Sequence, residues 1–437
     1  MESAVQLQPD SPPKPDRPWS LAHRIAFRFV CCYFLLYMAP DPPGRVDLIS
    51  VFPGGEWLAN LYGSLWHKIV PWVAIHVFHL SGKPTTYFLT GSGDTTLDYI
   101  ENLLFLVFAA AATAVWSLAD RQRPNYRRLH EWLRLAVRYT LAFTLFSYGF
   151  AKVFPSQFSP PGFQKLTEPY GDFSPMGVLW SFMGASLPYT IFAGLSEVTG
   201  GALLLFRRAT TIGALVSFGV LLNVAMLNFC YDVPVKLYST NLALMAIFLA
   251  APEIPPLLRF LLRPGALPSS RRWMRFAAIA FQCLFVGYFL CSGIGESWKG
   301  YQDTYIHPKR PPLYGLYDVE TFTRNGQELP PLTTDATRWK KVAIQSSGYL
   351  GVRMMDDKPK GFQVDYDEKK STVALGAPGS KDPKSVFAYS RPDPDHVLLQ
   401  GALAGDTFSV RLRKIDTSRF LLTNRGFHWI NELPFNR

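Results

Sequence analysis

Glu197 stands near the middle of an apolar run, LPYTIFAGLSEVTGGALLLF, about ten residues from either end. An ionised carboxylate at that depth of a hydrocarbon layer is costly, so it must be paired, protonated or turned toward a polar cavity. Two kinds of role fit that requirement. Glu197 is either a proton-handling group or headgroup contact for a quinone-like ligand, or an interhelical clamp to Tyr139, Tyr148, Asn223 or Arg138. Gly194, Gly200 and Gly201, with Ser196, let another helix come close, which is a packing feature rather than a catalytic one.

Lys152, Asp232 and Lys236 fall at the ends of apolar runs, with Tyr148, Asn228 and Tyr231 near them in sequence. Asp232 and Lys236 flank Pro234 in a tight turn. If the helix ends converge, these groups line a polar entrance at the outer membrane interface. A desolvated lysine there could serve as a base or Schiff-base amine. The plainer reading is snorkelling to the interface and a salt bridge within the turn. Glu197, Lys152, Asp232 and Lys236 are thus the candidate catalytic groups, and Tyr148, Asn223 and Asn228 the candidate cofactor contacts.

Other chemistry is less well supported. His76 and His79 share a helix face, with His67 nearby, but no carboxylate at ligand spacing accompanies them, and interfacial packing explains them better than a metal or haem. No metal site is expected. Of five cysteines, Cys31, Cys32, Cys283 and Cys291 lie in apolar runs and read as small hydrophobes. Cys230, beside Asp232, is the one thiol placed for a relay. A phosphate loop, a dinucleotide-binding glycine fingerprint, a Gly-x-Ser-x-Gly elbow and a His-Glu-x-x-His are all absent from the sequence, which argues against ATPase, nicotinamide-dependent and zinc-protease chemistry.

The elements that must position these groups are apolar helices. Of 437 residues 48% are hydrophobic and only 18% charged, which excludes a disordered or collagen-like chain. Spans of the length a bilayer requires are predicted near 24–40, 99–119, 134–153, 187–206, 209–229, 237–254 and 274–293, with a half-helix or interfacial helix over 175–186. With the N-terminus inside, the inner segments hold sixteen Lys and Arg against six in the outer loops, which orients the bundle N-in and C-out. The net charge of +11 is therefore mainly an orientation signal and not a nucleic-acid footprint.

Residues 1–20 read as a disordered cytoplasmic tail, and the first span as an uncleaved anchor rather than a signal peptide. The transmembrane bundle is placed at 21–293. Within it, 41–98 forms an outer interfacial segment whose aromatic stretch 57–80, broken by Pro71, suggests a re-entrant or interfacial helix pair. From 294 to 437 short alternating runs, from KKVAIQ to RFLLT, are separated by turn signals such as Asn325-Gly326 and Ala404-Gly405. That pattern predicts a small antiparallel β barrel or sandwich. Arg411, Arg413, Arg425, His428, Trp429, Asn431 and Glu432 near its end form either an anion- or aromatic-binding patch or, preferably, a docking seam onto the bundle.

YGFAKVFPSQF (148–158), with its Gly-x-x-Lys, and LSEVTGGALLLFRRATTIGAL (195–215), with its buried Glu and glycine pair, resemble the DoxX-like membrane proteins. LNFCYDVPVKLYSTNLALM (227–245) and RGFHWINELPFNR (425–437) fit a bacterial branch with an appended outer domain. The resemblance covers residues 134–293 best. It implies a helical bundle related to quinone-linked oxidoreductase subunits and, more distantly, to the membrane part of vitamin K-dependent carboxylases.

The leading expectation is a protein of the bacterial inner membrane with a periplasmic β-domain, serving a quinone- or thiol-linked redox step at the outer face. Its partners would be the lipid bilayer, a quinone, and a redox subunit or periplasmic protein. The alternatives are a non-catalytic anchor displaying the β-domain for protein or lipid contacts, and a carboxylase-like enzyme with a lysine base.

Overall fold

In a computed structural model of the chain the described residues are 18–39, 54–82, 85–86, 90–161, 165, 168–262, scattered positions between 273 and 299, 302–346, 348–378 and 385–436. The chain divides into two compact units, residues 1–263 together with 420–437, and residues 264–419. The tail after the β-domain thus belongs with the helices, whereas the sequence placed it in the outer domain.

The first unit is helical. Its main helices are α1 (Leu21–Met38), α2 (Gly55–His76), α3 (Thr96–Ala119), α4 (Arg127–Val153), α5 (Pro175–Ala185), α6 (Leu187–Leu205), α7 (Thr210–Cys230), α8 (Lys236–Ala250) and α9 (Ile254–Leu261), with a short α10 (Leu421–Asn424) in the tail. Four described helical runs are long and apolar enough to cross a membrane: Leu21–Met38, Thr96–Ala119, Arg207–Cys230 and Lys236–Leu261. The α5–α6 pair makes a fifth if its two helices, bent by 97°, count as one broken span. α5 is the short helix expected over 175–186.

The sequence predicted seven spans. α4, one of the seven, is a continuous helix of 27 residues, but it carries Arg134, Arg138 and Lys152 and is not among the apolar spans. The seventh, 274–293, lies largely outside the described residues, as does most of the N-terminal tail. α2 runs through Pro71 without a break, where a helix pair was expected. One proline removes a single backbone donor, and the helix continues around it.

Glycines decide how closely these helices approach. A Cβ on Gly194 would stand 2.6 Å from the Gly149 carbonyl oxygen and 2.8 Å from Lys152 Cβ, and one on Gly149 would stand 2.9 Å from the Gly194 oxygen. α4 and α6 therefore meet backbone to backbone at this crossing. Gly201 touches α4 at Ala142 and Leu145, so the two helices run antiparallel.

The second unit holds an eight-strand antiparallel β-barrel. Its strands are β1 (Gly315–Arg324), β3 (Trp339–Ser346), β4 (Tyr349–Met354), β5 (Pro359–Asp367), β6 (Thr372–Gly376), β7 (Ser385–Asp393), β8 (His396–Leu403) and β9 (Asp406–Lys414). β2 (Gln327–Glu328) extends β1 as a short hairpin. Each barrel strand pairs with the next, and β1 closes on β9 from Tyr317↔Lys414 to Arg324↔Phe408. Alternate residues, among them Phe322, Val342, Ile344, Leu350, Val364, Phe387 and Leu412, fill the interior, as the period of two demands. Asn325, Gly326, Ala404 and Gly405 take the positive φ their hairpins require.

Of the barrel-or-sandwich alternatives, the barrel is observed. One expected strand, RFLLT, is instead mainly the single helical turn α10, packed beside Tyr170–Asp172. It lies beyond the closed sheet, which leaves no free edge for it to join.

Candidate functional site

The Gly149–Gly194 contact places a residue three positions on from each glycine in register with the other. Those residues are Lys152 and Glu197, and Lys152 Nζ donates to Glu197 Oε2 at 2.9 Å. Both side chains are buried, with 9% and 5% of their surface exposed. Lys152 Nζ also donates to the Tyr148 carbonyl oxygen at 3.3 Å. The partner of Glu197 is therefore none of the four residues considered from sequence, but the lysine that sequence grouped with Asp232 and Lys236.

The pair lines a cavity of about 390 Å³ enclosed by α4, α5, α6, α7 and the start of α8. Tyr148, Asn223 and Asn228, the expected cofactor contacts, all line it. Asn228 is largely engaged by the fold, since its Nδ2 donates to Ser239 Oγ (3.0 Å) and to the Val235 carbonyl (3.4 Å), joining α7 to α8. Most of the remaining wall is apolar or aromatic, including Leu179, Trp180, Met183 and Tyr238. Gln157, missed from sequence, contributes a buried Oε1 without a hydrogen-bond partner among the described residues. It sits just past the end of α4, in a turn whose path toward the cavity has no local sequence signature.

Asp232 and Lys236 form a different cluster. Lys236 Nζ lies 3.4 Å from Asp232 Oδ1 and 3.5 Å from Asp94 Oδ2. Asp94 also accepts from the backbone N–H groups of Lys236 (2.7 Å) and Leu237 (2.9 Å), and so caps the N-terminus of α8 from the loop before α3. Burial pushes the Asp94 carboxyl up, against the pull of those donors and of the ammonium.

The C-terminal tail closes over Asp232. Arg425 Nε donates to Oδ2 at 2.9 Å, Asn431 Nδ2 to Oδ1 at 3.0 Å, and the His428 backbone N–H to Oδ1 at 3.1 Å. The His428 ring nitrogen Nδ1 lies 3.0 Å from Oδ2. Burial works to raise the Asp232 carboxyl, but the Asn431 and His428 hydrogen bonds and the Lys236 charge prevail and hold it below the usual carboxylate range.

Further along, Glu432 Oε1 accepts from the Thr96 backbone N–H (3.2 Å) and hydroxyl at the start of α3. Ser174 Oγ, the cap of α5, donates to the Phe435 carbonyl at 2.6 Å. The tail thus ties the starts of α3 and α5 to the α7–α8 turn. Sequence had no means to find Asp94 in this cluster, since 142 residues separate it from Lys236.

The four candidate catalytic groups therefore separate into a cavity pair, Lys152 with Glu197, and a tail-covered pair, Asp232 with Lys236. Lys236 borders a second, mostly apolar hollow between α1, α3 and α8, and Asp232 lines neither space. Arg411 and Arg413, grouped from sequence with the tail, sit on β9 and face Glu320 at 3.5 and 3.4 Å. His76 stacks on Trp72, and all five cysteines are free. Cys230 is exposed and does not line the cavity.

No family model matches the chain. The uncharacterized protein YwoB of Bacillus subtilis (strain 168) is 33% identical over 114 residues, which are 71% of its own length and 26% of this chain. The chain belongs to the YwoB family. No solved structure matches.

Proposed function

We propose that the helical unit is a DoxX-like bundle of the bacterial inner membrane whose cavity seats the headgroup of a quinone. Glu197 handles its proton and Lys152 serves as counter-ion, in a redox step at the outer membrane face. The observation that carries this reading is a buried ammonium–carboxylate pair on the wall of a mainly apolar cavity. Two charges held in apolar surroundings are expensive and are retained where they do work. The salt bridge engages Glu197 Oε2 and leaves Oε1 outside it. An ammonium has three donors, and the third Nζ hydrogen of Lys152 remains after Glu197 and Tyr148.

Converting a quinone to its quinol takes two electrons and two protons. Glu197, a carboxylate while it is paired with Lys152, would take up a proton and pass it to a quinone oxygen, and a second such cycle would supply the other proton. The electrons would come from outside this chain, from a partner redox subunit or a periplasmic donor, with the barrel on the periplasmic side.

A lysine-base reaction of the carboxylase type is less well supported. Lys152 is engaged by Glu197, and Lys236 by Asp94 and Asp232, which is not the arrangement of a free amine. The anchor reading draws on the barrel, whose interior is filled by side chains and whose outer surface alone is left for protein or lipid contacts.

Mass spectrometry of lipids and quinones that copurify with the detergent-solubilised protein tests the proposal. A stoichiometric quinone in the wild type that is lost in Glu197→Gln is the expected result. A well-folded wild type that neither retains nor takes up a quinone overturns it and favours the anchor.

A further inference from the structure

Helices α6 and α7 touch along only part of their length. A Cβ on Gly213 would stand 2.9–3.0 Å from Leu203 and Leu204, and one on Gly200 would stand 2.8 Å from Ser217 Oγ. Past that contact both helices line the cavity, α6 with Ala193 and Ser196 and α7 with Val220 and Val224. Gly219 lies two residues past Ser217 on α7 and lines the cavity, yet a Cβ there would meet nothing within 4 Å. Across from this stretch Phe192 of α6 also lines the cavity while 65% of it is exposed. Asn223, one turn after Gly219, is likewise both exposed and part of the lining.

The surrounding outward faces of the two helices carry exposed Leu195, Leu215, Leu222 and Met226. An exposed apolar surface on helices of this length is the surface that meets hydrocarbon. The cavity therefore opens sideways, through a slot in the lipid-facing wall. The buried polar groups of its lining include Lys152, Glu197 and Gln157 Oε1, the last without a hydrogen-bond partner among the described residues.

We propose that the cavity is filled from within the bilayer through the α6–α7 slot at Gly219. Its ligand is then a hydrocarbon-tailed hydroquinone or quinone whose head lies at Lys152 and Glu197 and whose tail leaves past Phe192 and Gly219. The inference rests on the quinone reading of the cavity and adds the route and the need for a tail. An oil-soluble amphiphile gains by leaving its chain in hydrocarbon while its head finds hydrogen bonds that lipid does not offer. The reduced form has a hydroxyl to donate to Gln157 Oε1, an acceptor with no partner among the described residues.

The test uses the full-length protein in lipid nanodiscs and two probes, a decyl-substituted benzohydroquinone and the same head without the chain. Gly219→Trp, or Gly219→Leu should the larger residue impair folding, should lower affinity for the decyl probe at least tenfold while changing that for the tail-less probe by less than threefold. Decyl binding unchanged in a folded Gly219→Trp, or both probes lost equally, overturns the slot while the quinone reading stands. Failure of the wild type to bind either probe overturns the quinone reading and the slot with it.

Discussion

Asp232 and Arg425 are 193 residues apart in the chain, yet Arg425 Nε donates to Asp232 Oδ2 at 2.9 Å. The contact fastens the C-terminal tail to the α7–α8 turn, with a carboxylate that is only 2% exposed. Asp232 has a positive φ of 53°, a conformation that asparagine also tolerates, so Asp232→Asn removes the charge without straining the backbone. That variant leaves Arg425 and Lys236 short of a counter-charge. Breaking a buried pair in this way costs about 3–5 kcal/mol. Hydrogen exchange should show residues 420–436 losing protection while the barrel, residues 315–414, keeps its own.

Acid should release the same tail. The Asp232 carboxyl is held below its ordinary value of 3.8, and a depressed carboxylate adds stability that is fully present above the unfolded pKa. That stability falls away as the pH drops from about 4 toward the lower native value, where both states bind the proton. Tail protection should therefore hold from neutrality to about pH 4 and decline below it. Fluorescence of Trp429, which packs against Phe229 and Phe427, read against Trp429→Phe as a blank, follows the change. A tail lost already between pH 7 and pH 5 would contradict this account.

Lys152 and Glu197 should behave as a coupled pair. Lys152→Met strands a buried carboxylate and is expected to cost about 3–5 kcal/mol, whereas Lys152→Met with Glu197→Gln should recover much of it. Thermal unfolding of the two single variants and the double variant measures the coupling. Additive losses would mean that the 2.9 Å contact contributes little to the bundle.

The glycine crossing, unlike the open space at Gly219, leaves no room for a methyl. Alanine at Gly194 would force its Cβ to within 2.6 Å of the Gly149 oxygen, so α4 and α6 must part. A loss of about 1–3 kcal/mol is expected from such overpacking. On the proposed quinone reading, retention of quinone should fall as well, because Lys152 and Glu197 move with the two helices. Thermal unfolding together with copurifying quinone checks both consequences.

Much of this was legible in the residues themselves. Alternation with turn dipeptides such as Asn325-Gly326 marked the β-domain, and closure of β1 on β9 resolved barrel from sandwich. The apolar runs marked the helices, although α4 carries too much charge to rank with the apolar spans. Glu197 drew notice because a carboxylate inside an apolar run demands an explanation. Lys152 drew notice too, but as one of a group with Asp232 and Lys236 at helix ends, and only the Gly149–Gly194 contact pairs it with Glu197. The tail was legible as a docking seam in part, but Arg411 and Arg413 belong to β9 and pair with Glu320.

Local pattern by itself determined the helices, most of the strands and the residues too costly to bury without cause, because hydrophobic period and turn chemistry act over neighbouring residues. The tertiary structure alone decided which charges share a site. It split four candidates into a cavity pair and a tail-covered pair, and it brought in Asp94 and Gln157. Ion pairs between distant segments depend on how closely two backbones can approach and on where a chain end returns, and neither is encoded within reach of any one residue.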